Sequence, residues 1–212
     1  MEALRQAQER PEQVVVLFED EATFYRQPTQ APLWASRGRR QPRVAYSHRS
    51  NTRLRMVASL NARTGAVYSQ DMSTVTVSRL ARYLTGLVCT YPETEVIYLV
   101  WDNWPVHGHP VVQEALAAQP RVRVLWLPTY SPWLNPVEKC WRYVRQRVVH
   151  THPWSDDFRE FRYRVREVLA ELMNGSPELL RYVGLSSYLV NYHQPALPRR
   201  TLKGGATRGS TE

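Results

Sequence analysis

An α/β fold is predicted, with a mixed five-stranded sheet and helices on both faces. Three observations predict it. Short β-branched apolar runs at 14–18 and 96–101 read as buried central strands. Runs at 54–61 and 66–72 flank Thr64-Gly65, a turn signal, and read as an antiparallel pair. Beyond that pair, helical periods alternate with strands, the pattern of a sheet covered on two sides.

The elements follow in order. Val14-Val-Val-Leu-Phe18 is a continuous apolar run, too short for a helix and flanked by polar residues. Residues 26–50 break the pattern with Pro28, Pro32, Gly38 and Pro42. They also carry Arg37, Arg39, Arg40 and Arg43, and read as an irregular basic insertion or a loose hairpin. After the strand pair, 75–89 places Val77, Leu80, Ala81, Leu84, Leu87 and Val88 at helical spacing. The strand at 96–101 follows, then a short helix at 111–118. A fifth strand at 121–127 alternates Val122, Val124 and Trp126. A helix over 136–149 puts Trp141, Val144 and Val148 on one face, and one over 158–173 is basic on its outside. The stretch 195–212 has Pro, Gly, Thr and Arg but no apolar period, and is expected to be a disordered basic tail. The order is β, strand pair, α, β, α, β, α, α: that of a ribonuclease H-like sheet. There the first strand and the fourth are neighbours, so acids on them stand side by side.

Charge narrows the partners. Lys and Arg total 28 against 19 acids, a net charge of +9 in 212 residues, which favours a polyanion and nucleic acid first. Only Lys139 and Lys203 are lysines; arginine suits bidentate phosphate contacts, although genome composition also explains such a ratio. Two distant cysteines, Cys89 and Cys140, give neither a disulfide framework nor a zinc ribbon, so a reducing cytoplasm is expected. The first ten residues are polar, without the apolar core of a signal peptide. No apolar run approaches the ~20 residues of a membrane span.

Three acids carry the chemistry. Asp20 and Asp102 each close an apolar strand run, and Glu138 falls in the first turn of the helix opened by Pro136. Each has a plain structural reading. Aspartates at strand ends form turns and caps. Asn135-Pro-Val-Glu138 fits an N-cap, a proline at N1 and a glutamate at N3, a near capping box. Taken together they fit oxygen ligands for hard divalent cations. Alternation along the strand turns Glu19 and Glu21 to the face opposite Asp20, and three successive acids are costly to bury without a compensating cation. His107-Gly-His109 and His150-Thr-His152 have the spacing of strand zinc ligands, but lie in loop-like stretches with no cysteine partners. Tyr130 and the tryptophans suit either base stacking or packing.

Leu127-Pro-Thr-Tyr-Ser-Pro-Trp-Leu-Asn-Pro-Val-Glu-Lys-Cys-Trp141 resembles the third catalytic motif of DDE transposases of the mariner-like superfamily, and of the bacterial insertion sequence 630 family in particular. Phe18-Glu-Asp-Glu-Ala-Thr-Phe24 resembles the family's first motif, and Asp102-Asn-Trp-Pro-Val-His107 its second. The 35 residues between Asp102 and Glu138 are in the superfamily's range. Trp34 to Pro42 resembles its tryptophan-and-glycine segment. The likeness covers 14–149.

The resemblance implies that Asp20, Asp102 and Glu138 are the catalytic acids and hold two Mg²⁺ (or Mn²⁺) ions for phosphoryl transfer on DNA. It makes Asn103, His107, Tyr130 and Asn135 supporting or DNA-contacting residues. It implies a catalytic domain over 1–194, partnered by transposon-end and target DNA, in a homodimer within the transposition complex. Such transposases begin with helix-turn-helix domains. Asp20 lies too near the start for one to precede it here, so the chain reads as the catalytic half, with a separate DNA-binding subunit as a candidate partner. The expected location is the bacterial cytoplasm, at the nucleoid. Two other readings stand beside this one: a non-catalytic DNA-binding or assembly protein derived from a transposase, and a general ribonuclease H-like nuclease.

Overall fold

The computed structural model describes residues 2–32, 34–38, 43–49, 51–73 and 76–186. Its strands are β1 (Val14–Tyr25), β2 (Arg53–Asn61), β3 (Val67–Asp71), β4 (Val96–Trp101) and β5 (Val122–Trp126). They form one five-stranded sheet in the order β3-β2-β1-β4-β5. β1–β2 and β2–β3 are antiparallel, β1–β4 and β4–β5 parallel, which is the ribonuclease H-like arrangement.

The helices are α1 (Glu2–Glu9), α2 (Val77–Cys89), α3 (Pro110–Ala117), α4 (Pro136–Val148), α5 (Phe158–Glu171) and α6 (Pro177–Val183). Residue parity along the strands sorts them into two layers. Even positions Val14, Val16, Phe18, Ala22 and Phe24 of β1, with Tyr98 and Val100 of β4, join the core under α4, α5 and α6. Odd positions Val15 and Leu17, with Ile97, Leu99 and Trp101, join the core under α2. Helices therefore cover both faces, as predicted. Leu80, Leu84, Leu87 and Val88 of α2 are buried, as are Trp141, Val144 and Val148 of α4, so both helical periods face the core.

β1 corrects one expectation. The apolar run does not end the strand at Asp20; β1 continues to Tyr25, 12 residues in all. The reason is unequal pairing. β2 accompanies β1 through Tyr25↔Arg53, whereas β4 leaves it after Phe18↔Val100. From Glu19 onward one edge of β1 is open, and the site forms in that notch.

The β2–β3 turn needs its glycine. Gly65 has φ +70°, and a Cβ there would lie 2.5 Å from the Ser176 carbonyl oxygen. Asn61 Oδ1 closes the turn by accepting from Arg63 N and Thr64 N.

In the insertion after β1, the described residues form no ladder; Thr29 makes a single bridge with His150. The segment is tied down at its ends. Buried Arg26 donates to the Ser155 carbonyl, and Gln27 exchanges hydrogen bonds with the backbone of Ser47. Trp34 is fully exposed. Arg39, Arg40, Pro42 and the expected tail at 195–212 lie outside the described residues. Among the described residues no helix is long and apolar enough to cross a membrane.

Candidate active site

Asp20, Asp102 and Glu138 line one cavity of about 300 Å³, with Asn103, Trp104, Tyr130 and Asn135 in its wall. Three distant segments meet there because of the topology. Asp20 lies two residues past Phe18, the last β1 residue paired to β4, and Asp102 follows the last residue of β4. Both have the parity of the α4 face, and α4 starts at Pro136, so its first turn carries Glu138 to the same rim.

Asp20 is mostly buried. Its Oδ2 accepts a 3.0 Å hydrogen bond from the indole N–H of Trp141, one helical turn after Glu138. Burial, then the charges of Glu138 and Glu21, push its carboxyl up to about 8. Glu138 is exposed. Among the described residues no Lys or Arg pairs with any of the three acids; the one ion-pair contact is Asp102 with His107. Such a group of oxygens, one of them costly to ionise, lacks a cation to compensate it. The donor set is all carboxylate, which fits Mg²⁺ or Mn²⁺.

The plain structural readings are partly realised. Asp102 does form a turn, its Oδ1 accepting from Trp104 N at 3.0 Å. Asn135 does cap α4, its Oδ1 accepting from Val137 N. Glu138 does not complete a capping box, because the Asn135 backbone N–H donates to the Pro132 carbonyl instead. The Asn135 amide is also the clasp of the notch: its Nδ2 donates to the Glu19 carbonyl at 3.0 Å, joining α4 to the open edge of β1. Asn103 Nδ2 donates to the Leu127 carbonyl at 2.9 Å and ties the loops after β4 and β5 together. Tyr130 is 90% exposed with φ +59°, at the cavity mouth.

His107 lies elsewhere than a DNA contact requires. It is buried, stacked on Trp101 at 4.2 Å between ring centroids. Its Nδ1 is 3.1 Å from the Asp102 carbonyl oxygen and 3.4 Å from Asp102 Oδ1, so it positions that residue from behind. Its other nitrogen faces Glu19 and Glu21, a grouping that the sequence reading left unassembled. Strand parity put both glutamates on that face, but nothing local showed that the loop after β4 folds a histidine onto them. The His-x-His pairs are not ligand pairs. His109 caps α3, His150 bonds Thr29, and His152 accepts from Trp154 N.

A sheet of this order, with three acids from β1, the end of β4 and the start of α4 around one cavity, defines a chain of the ribonuclease H-like class. A family model described as DDE superfamily endonuclease matches residues 15–161. The chain belongs to that family. It is 29% identical over 140 residues to an insertion element IS630 uncharacterized 39 kDa protein of Shigella sonnei, over 66% of this chain and 40% of that protein. The Mos1 transposase paired-end complex with the left transposon end shares its fold at TM-score 0.60 and 17% identity, covering 90% of this chain and 56% of that one. The mariner Mos1 paired-end complex with Mg gives TM-score 0.60 and 16% identity, covering 90% and 58%. The chain thus spans about two fifths to three fifths of the length of these relatives.

Proposed function

We propose that this chain is the catalytic domain of a metal-dependent DNA transposase, cutting and joining strands at the ends of an insertion sequence. The observation that carries the reading is the convergence of Asp20, Asp102 and Glu138 on one cavity, with no Lys or Arg paired to them among the described residues. Family membership and the fold shared with transposases bound to transposon ends support it.

The three carboxylates would hold two Mg²⁺ or Mn²⁺ ions, which would supply activation of the attacking water or 3′-hydroxyl and stabilisation of the leaving 3′-oxygen. The chain supplies position. Trp141 fixes one oxygen of Asp20, the Trp104 amide one oxygen of Asp102, and Asn135 sets where α4 starts and so where Glu138 points. The rest of the work is placement and charge neutralisation around the phosphodiester. DNA would be held by its phosphates, through exposed arginines such as Arg37 and Arg43 of the insertion and Arg159 of α5. A homodimer and a separate helix-turn-helix subunit complete the reading, as the partners a catalytic half needs to find paired ends.

The test is nicking of a labelled transposon-end duplex in Mg²⁺ or Mn²⁺, with any DNA-binding subunit encoded beside this chain supplied. Cleavage dependent on the metal and on all three acids is expected. Absence of cleavage in both metals with the partner present would instead identify a non-catalytic DNA-binding or assembly protein.

A further inference from the structure

β1 buries acids on both of its faces, and the second group is not used by the cavity above. Glu19, Glu21 and His107 each offer one ligand atom, and these atoms lie within 4.8 Å of one another. Glu19 and His107 are closed off from solvent, with side-chain exposures of 0% and 1%. Both carboxylate oxygens of Glu19, Oε1 of Glu21 and Nε2 of His107 are buried with no hydrogen-bond partner. Three of these atoms, one from each residue, converge on one spot, and that is expensive, since each forfeits its water without a replacement.

The spacing says what the spot fits. His107 Nε2 is 3.6 Å from Glu19 Oε2 and 3.5 Å from Glu21 Oε1. Those separations are too long for N–H···O hydrogen bonds, which run about 2.7–3.2 Å. They match the edge of a coordination tetrahedron: ligands about 2.0–2.2 Å from one zinc ion stand about 3.3–3.6 Å apart. Two carboxylates and one neutral imidazole also balance a divalent cation in charge.

We propose that Glu19, Glu21 and His107 form a second metal site, for a single zinc-like transition ion, on the face of β1 opposite Asp20. The imidazole ligand favours zinc or cobalt over magnesium and manganese. Glu19 Oε1 or a water fills the fourth position. A cavity of about 240 Å³, lined by Glu21, Thr23, Arg55, Met72, Leu80 and Trp104 among others, provides the entry path.

The ion has a consequence for the catalytic face. Metal on Nε2 leaves the proton on Nδ1, which faces the Asp102 carbonyl and carboxylate at 3.1 and 3.4 Å. This is the carboxylate–histidine–metal relay, in which the metal fixes the tautomer and the ring and the ring fixes the carboxylate. Binding of the ion stands whether or not the chain cleaves DNA; only the effect on Asp102 rests on the transposase reading.

Cobalt(II) is the probe. The full chain, stripped with chelator, is titrated with Co²⁺ while the visible absorption of four-coordinate cobalt is recorded. Bound metal is counted by mass spectrometry and the fold is followed by circular dichroism. One equivalent giving the tetrahedral spectrum, displaced by zinc but not by magnesium, is expected. The spectrum should persist in Asp20→Asn/Glu138→Gln and vanish in His107→Gln and in Glu21→Gln. Glu21→Gln, at the partly exposed ligand, keeps the test decisive if the buried histidine variant fails to fold. No tetrahedral spectrum in the wild type overturns the proposal. So does a spectrum that survives Glu21→Gln, or one lost only in the Asp20/Glu138 variant.

Discussion

Replacing Asp20 by asparagine should make the metal-free protein more stable, while removing its response to magnesium. The carboxyl of Asp20 is raised from 3.8 to about 8, first by burial and then by the charges of Glu138 and Glu21. Below about pH 4 the acid is protonated folded and unfolded, and pH has no hold on it. Between about 4 and 8 the unfolded chain releases the proton and the folded chain retains it, so stability drains as pH rises. Above 8 both forms are ionised and the loss levels off. At pH 7 the gap amounts to roughly 4 kcal/mol. Half of that, about 2 kcal/mol, is roughly 4–8 °C in Tm for a chain of this size. Asparagine carries no proton to lose, and its side-chain oxygen still accepts from Trp141. Glu19 and Glu21 are present in both proteins, so the difference reads Asp20 together with its charge coupling to them. Thermal melts in chelator from pH 5 to 8 should therefore show the wild type falling faster than the variant, which ends higher. Added Mg²⁺ at about a hundred times its Kd should return about 2.7 kcal/mol to the wild type and little to Asp20→Asn. A variant no more stable than wild type at pH 7–8, gaining equally from Mg²⁺, would refute both the buried charge and the ligand role.

Glu138→Gln should abolish strand cleavage with a melt within about 1 kcal/mol of wild type, since Glu138 makes no capping bond; retained cleavage would exclude it as a ligand. Trp141→Phe removes a donor that favours the ionised form of Asp20, and should move the pH of half-maximal Mg²⁺ binding upward, read by calorimetric titration across pH. DNA binding should weaken linearly in log Kd against log salt, with a slope of roughly −0.9 in log affinity per phosphate contacted and little sequence preference. A flat filter-binding series would contradict a phosphate-tracking surface. Gly65→Ala should cost several kcal/mol, measured by urea unfolding, because the added Cβ meets the Ser176 carbonyl at a positive φ.

The fold was legible where apolar patterning was long and single-valued. β1, β4, α2 and α4 follow from their runs and periods. α1 escaped because Glu2–Glu9 is short and polar, and only its contact with β1 buries Ala7. α6 did leave a trace: Ser176 caps it, Pro177 opens it and Gly184 closes it in the left-handed region. Its seven residues were simply too few to show a period. The convergence of Asp20, Asp102 and Glu138 on one cavity was legible because motif and strand position agreed. What was not legible was long-range: the depth at which His107 sits, the role of Asn135 as a clasp on β1, and the early departure of β4. These depend on which strand stops first, and no local pattern encodes that.

Glu19, Asp20 and Glu21 are successive acids on a central strand, and ordinary strand physics opposes them. Alternation divides the load, one acid toward α4 and two toward α2. Both faces remain short of positive charge among the described residues: no Arg or Lys is paired to Asp20, and one buried histidine faces the pair behind it. Glu19 is held well above the ordinary carboxylate range, by burial first and then by Glu21, Asp20 and Asp102. The two clusters are therefore electrostatically one object, joined through the backbone of β1 and through His107 to Asp102. A cation on either face lowers the cost of ionising the acids on the other. Metal loading on the two faces should accordingly be coupled, because zinc behind the strand changes the charge that magnesium meets in the cavity. Calorimetric Mg²⁺ titrations of the stripped and the zinc-loaded chain read that coupling directly. Equal Mg²⁺ affinity in both forms would show that the faces are independent.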